Sequence, residues 1–278
     1  MPSASATPVE STAPPPDAAP LGSRLWLYSN FNCNLHCDYC CAESSPRAAA
    51  RGLPVEVAER AAEEFAGLGG REVLLTGGEP FLNPELGALV EVTSRYAPVT
   101  ILTNAMIFFR GSRRRTLEAM DRDRVVMQVS LDSGTPELHD RHRGEGSFER
   151  AWAGIALLRE LDFEVRVAAT IDEADAAEEA GLHRLLDREG IDPEHRLVRR
   201  VARTGFADWG MSMTADTLWP EPALTADGAW WHPVAVTEDG MQVSSAPLPV
   251  VTVMAVIRAT LNDPSRDRSA ALEAFRCT

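Results

Sequence analysis

Four of the five cysteines lie within nine residues, Cys33, Cys37, Cys40 and Cys41, and the fifth is Cys277. A disulfide framework would spread its cysteines along the chain. Clustered thiols fit a metal site in a reducing, cytoplasmic compartment instead. Three thiols spaced C-x3-C-x2-C can hold three irons of a [4Fe–4S] cube from one loop. The fourth iron then has no protein ligand and is open to a small chelator, whereas electron-carrier clusters use four cysteines. Structural zinc is the alternative, but it prefers two separated ligand pairs, and no second pair follows. Cys41 adjoins Cys40 and is poorly placed for a corner of the same cube, so it reads as a packing thiol. His36 and Asp38 read as solvated loop residues. Tyr39, just before the third cysteine, is an aromatic able to pack on a bound adenine.

Strands must carry that loop. Arg24–Tyr28 is a short apolar strand running into the cysteines. From there strand and helix patterns alternate about six times, to residue 205. A helix opened by Pro54 has Val57, Ala61, Phe65 and Leu68 at helical spacing. Strands are expected at 72–75, 98–102, 125–129, 165–170 and 197–201. Such alternation predicts an α/β fold with a parallel sheet and outer helices. Six units make an open, partial (β/α)6 barrel with its chemistry at the strand C-terminal ends. The pattern breaks at 206, and a small α+β extension over 206–278 is expected, with a helix over 250–261. Residues 1–22, rich in Ala, Pro, Ser and Thr, read as a disordered tail without signal-peptide or anchor character. The expected division is 1–22, 23–205 and 206–278.

Composition narrows the function. The 278 residues are 45% hydrophobic and 24% charged, ordinary for a globular chain. The net charge of −14 disfavours a nucleic-acid partner. No apolar run approaches the ~20 residues of a membrane span, so no membrane partner is expected. All 27 basic residues are arginine, which removes lysine Schiff-base chemistry and Walker-type phosphate binding.

The cysteine spacing with Tyr39 resembles the signature of the radical S-adenosylmethionine (SAM) superfamily. Thr76-Gly77-Gly78-Glu79-Pro80 resembles its GGEP motif, Thr103-Asn104 its T-N segment and Ser130-Leu131-Asp132-Ser133 its SLDG-type segment. His139-Asp140 through Arg143-Gly144, with Gly146-Ser147-Phe148, resembles a stretch of the branch holding the molybdenum-cofactor cyclase and the SPASM-type peptide maturases. The resemblance spans residues 24 to about 205. It implies one [4Fe–4S] cluster on Cys33, Cys37 and Cys40. It implies SAM contacts from Tyr39, Gly77, Gly78, Glu79, Ser130, Asp132 and Arg143. Glu79 would receive the methionine ammonium and Arg143 its carboxylate.

The implied activity is reductive cleavage of SAM to a 5′-deoxyadenosyl radical, which abstracts hydrogen from a peptide or small-metabolite substrate in a biosynthetic pathway. An external donor of flavodoxin or ferredoxin type would supply the electron. A partner protein could deliver the peptide, since no leader-binding domain is visible. Candidate substrate-facing residues are Arg166, Thr170, Arg200 and Arg203. The extension lacks the family's auxiliary cysteines and resembles a degenerate SPASM hairpin, with His232 where a cysteine often stands. Trp230 and Trp231 there read as packing residues, with stacking on a substrate as the alternative. The competing reading is a non-catalytic zinc or iron–sulfur scaffold, or a redox-responsive regulator.

Overall fold

The computed structural model describes residues 20–266. Most of the expected tail, and Cys277, lie outside the described residues. Six strands run parallel and pair in sequence order: β1 (Arg24–Asn30), β2 (Glu72–Gly77), β3 (Val99–Thr103), β4 (Val125–Ser130), β5 (Glu164–Ile171) and β6 (Arg196–Arg200). Helices connect them: α1 (Val55–Gly67), α2 (Leu86–Ser94), α3 (Gly111–Ala119), α4 (Pro136–Arg143), α5 (Ser147–Glu160) and α6 (Glu179–Arg188). Strands covered on both faces read as continuous apolar runs, and Val73, Leu74 and Leu75 of β2 are wholly buried. β6 does not pair with β1, so the barrel is partial and unclosed.

Two local expectations shift. The buried stripe of α1 is Ala58, Ala61, Ala62 and Phe65, while Leu68 is exposed at the helix end. Alanines let the helix lie closer to the sheet than the larger apolar residues would. The helix α4 falls where the sequence shows only a charged motif, because few of its residues are buried.

After the short strands β7 (Ala202–Arg203) and β8 (Met211–Ser212), the chain crosses to the far edge of the main sheet. There β9 (Ala223–Thr225) pairs parallel with β1, and β10 (Gly228–Trp230) and β11 (Gln242–Ser244) continue antiparallel. The segment after 206 therefore extends the same nine-stranded sheet. A final helix, α7 (Val250–Leu261), has the bounds expected of it. Trp230 and Trp231 are buried, with indole N–H groups donating to Thr225 Oγ1 and Leu218 O at 3.1 and 3.0 Å. Packing is their role.

Candidate active site at the strand C-terminal ends

The C-terminal ends of β1 to β6 surround an open cavity. Cys33, Cys37, Cys40 and Cys41 line it, with Tyr39, Gly77, Gly78, Asn104, Ser130, Arg143, Thr170 and Arg199. Among the described residues no three metal-binding side chains converge on one ion position. The thiols face a shared space, the arrangement required if each is to hold a different iron. Burial pushes Cys33 and Cys37 up to about 12, so metal loading must displace their protons.

The cysteine loop is held from three sides. Asn30 Nδ2 donates to Asn32 O, Asn32 Oδ1 and Glu79 O at 2.8, 3.0 and 2.9 Å. Asn104 Nδ2 donates to Asn34 Oδ1 at 2.9 Å. Phe206 N donates to Cys40 O, and Thr237 Oγ1 to Cys41 O, at 3.1 and 3.0 Å. The asparagines act through both backbone and side-chain amides, and their alternation at 30, 32 and 34 was the available signal.

Gly205 is essential to the third contact. Its φ is +62° and a Cβ there would meet Cys40 O at 2.3 Å. The left-handed conformation alone costs a non-glycine residue about 1–2 kcal/mol. Gly205→Ala is expected to lower the melting temperature and to reduce iron retained after reconstitution. Parental values of both would show that residues 205–206 do not position the loop.

Gly77 and Gly78 line the cavity, but their lack of a side chain answers to the protein itself. A Cβ on Gly77 would meet Asn30 O at 2.2 Å, and one on Gly78 would meet Asn32 O at 2.2 Å. The glycines let the β2 end lie against the start of the cysteine loop.

Glu79 differs from expectation. Its side chain has no exposure, and it is absent from the cavity lining. Oε1 accepts from Phe81 N at 3.1 Å and Thr103 Oγ1 at 2.8 Å, and Oε2 from Asn104 N at 2.8 Å. These three donors tie the carboxylate to the ends of β2 and β3, behind the cavity wall. Burial pushes it up to about 7, against the lowering effect of its three donors.

Asp132 is also displaced from the expected pocket. It is buried and bonded bidentately by Arg143, Nε to Oδ2 at 2.6 Å and Nη2 to Oδ1 at 3.2 Å. Thr170 N donates to Oδ1 at 2.9 Å, and the Tyr39 hydroxyl donates to Oδ2. Burial would raise the Asp132 pKa, but the Arg143 guanidinium more than offsets this and holds it below the usual value. Asp132 therefore orients two cavity residues and does not itself face the cavity. Arg143 lines the cavity with its fork already on a carboxylate, and its guanidinium carbon stands 5.5 Å from the Tyr39 ring centroid.

The charged motif around α4 supports this corner. His139 Nδ1 accepts from Asp132 N at 3.1 Å, and burial lowers its pKa to about 4, which keeps it neutral. Asp140 accepts from Gly146 N, Ser147 Oγ and Phe148 N at 2.6, 2.9 and 2.8 Å, fixing the start of α5.

Of the substrate-facing candidates, Thr170 and Arg200 line the cavity. Arg166 does not, because it sits in the N-terminal half of β5 and pairs with Glu72 and Glu164. Arg203 is exposed and donates to Gly210 O at 3.4 Å. Arg199, which the sequence did not single out, takes its place in the lining. His232 is buried, its Nδ1 accepting from Val234 N at 3.2 Å. His36 and Asp38 are exposed.

The profile of the Radical SAM superfamily matches residues 28–180, more than half of the chain. The chain belongs to the radical SAM superfamily. Curated relatives include the antilisterial bacteriocin subtilosin biosynthesis protein AlbA of Bacillus subtilis, 32% identical over 145 residues, 51% of this chain and 31% of that protein. The AdoMet-dependent heme synthase of Methanosarcina barkeri is 30% identical over 152 residues, 52% of this chain and 42% of that protein. The chain thus spans about a third to two fifths of these radical SAM relatives. Streptococcus suis SuiB, solved with SAM and with its precursor peptide SuiA, superposes with a TM-score of 0.57 in both cases at 19% identity. Each superposition covers 70% of this chain, and 44% and 43% of the respective SuiB chains. At that identity the likeness establishes the radical SAM fold alone. Among the described residues no helix is long and apolar enough to cross a membrane.

Proposed function

We propose that this chain is a radical SAM enzyme that binds one [4Fe–4S] cluster through Cys33, Cys37 and Cys40 and SAM in the adjoining cavity, and that modifies a peptide. The observation carrying this is the opening of the three spaced thiols onto the same strand-end cavity as Tyr39, Ser130 and Arg143. The donor set suits the cluster, being three thiols on one loop that open onto one cavity. When bound, the cluster supplies the electron that cleaves SAM to the 5′-deoxyadenosyl radical, which takes hydrogen from the substrate.

The remaining chemistry is that of the chain. Tyr39, its hydroxyl tied to Asp132, presents an aromatic face for adenine. The Arg143 guanidinium, oriented by the same Asp132, is the cation for the methionine carboxylate. Trp26, Leu102 and Val234 give the cavity apolar walls that exclude water and stray hydrogen donors. An external flavodoxin- or ferredoxin-type donor reduces the site, which has no second cysteine set among the described residues. The peptide assignment draws on AlbA, a bacteriocin biosynthesis protein, and on SuiB with its bound precursor peptide.

Anaerobic reconstitution should give about four irons and four sulfides per chain. Changing Cys33, Cys37 and Cys40 together to Ala should abolish them, and Cys41→Ala should leave them unchanged. Iron content near eight, or a cluster surviving the triple change, would overturn the single-cluster reading.

A further inference from the structure

Arg199 is a cavity cation without an acid. In the β5–β6 register it pairs with Thr170, so the two side chains leave the same face of the sheet. Its Nε donates to Thr170 Oγ1 at 3.0 Å. Among the described residues no carboxylate forms an ion pair with it. The other arginines of the site differ. Arg143 is held by Asp132, and Arg200 by Glu173 and Glu179 at 3.4 and 3.2 Å. Arg199 thus presents a half-buried guanidinium on the cavity wall that no protein carboxylate pairs, a ready partner for an incoming anion.

The position of Arg199 says which anion. Arg143 stands beside the Tyr39 ring and is held by Asp132 just past β4, the corner assigned to SAM, whereas Arg199 lies on β6, the last strand of the parallel run. Resting on the SAM assignment above, we propose that Arg199, with the Thr170 hydroxyl beside it, anchors a carboxylate of the substrate. The guanidinium fork is suited to a planar carboxylate. A peptide supplies that group through an acidic side chain or its terminus.

The test uses the cluster-loaded, SAM-saturated, unreduced protein, with saturation-transfer NMR of acetate as probe and acetamide as uncharged control. Acetate should give a saturable signal that acetamide lacks. Arg199→Gln should weaken that binding about tenfold, the effect of one charge-assisted bond, while Arg199→Lys retains most of it. SAM affinity, titrated calorimetrically, should be unchanged in both variants. Acetate binding unaffected by Arg199→Gln overturns the proposal. So does a tenfold loss of SAM affinity in Arg199→Gln together with lost discrimination against decarboxylated SAM, because the anion would then be SAM's own carboxylate. A parent protein that binds no SAM would instead sink the SAM assignment, a separable failure.

Discussion

Asp132→Ala should destabilise the protein by about 3–5 kcal/mol, the usual effect of removing one partner of a buried ion pair. The substitution strands the buried Arg143 guanidinium, the Thr170 N–H and the Tyr39 hydroxyl together. Because the folded pKa of Asp132 lies below its ordinary value of 3.8, the parent's advantage is present above that pH and disappears as pH falls through the folded value. The double variant Asp132→Leu/Arg143→Met should recover most of the stability, since an apolar pair replaces a buried ion pair at little cost. It should not recover SAM binding, because it has lost the cation and the support of Tyr39. Urea unfolding and SAM titration on the same preparations check this. Full SAM affinity in the double variant would remove Arg143 from the binding site.

Glu79→Ala should cost about 3 kcal/mol or more, because three buried donors lose their acceptor at about 1–3 kcal/mol each. The loss should appear as a lower unfolding midpoint and less retained iron, since Glu79 fixes the Asn104 backbone N–H and the Asn104 side-chain amide in turn holds Asn34. The pH dependence has a definite sign. The Glu79 pKa rises on folding from 4.5 to about 7, so its proton stabilises the fold below pH 4.5 and that stabilisation is lost as pH rises through 7. The parent should lose about 3 kcal/mol from this group across that interval. Glu79→Gln cannot titrate and should lack this part of the slope. A direct SAM contact would instead show as lost SAM affinity in Glu79→Gln with unaltered unfolding.

The alternation of strands and helices was legible because β1 to β5 are largely buried on both faces and so announce themselves by composition, as in Val73 to Leu75. The cysteine loop was legible because its thiols lie close together in sequence. What depended on distant partners was not. The spacing of Gly77-Gly78-Glu79 reveals a tight turn but not that the carboxylate meets Thr103 and Asn104, 24 and 25 residues on. Arg166 and Arg199 exchanged roles for a similar reason. Both are strand arginines, and only the position along β5 and the register with Thr170 decide which one reaches the cavity. β9 is three residues long, too short to show a period, and its pairing with β1 bridges about two hundred residues of chain.

The most direct measurement is the formation of 5′-deoxyadenosine from SAM by the anaerobically reconstituted protein with dithionite. The account predicts that the parent produces it, that Cys33→Ala does not, and that Cys41→Ala does. No 5′-deoxyadenosine from a parent holding about four irons per chain would contradict the enzyme assignment and leave a cluster-binding scaffold.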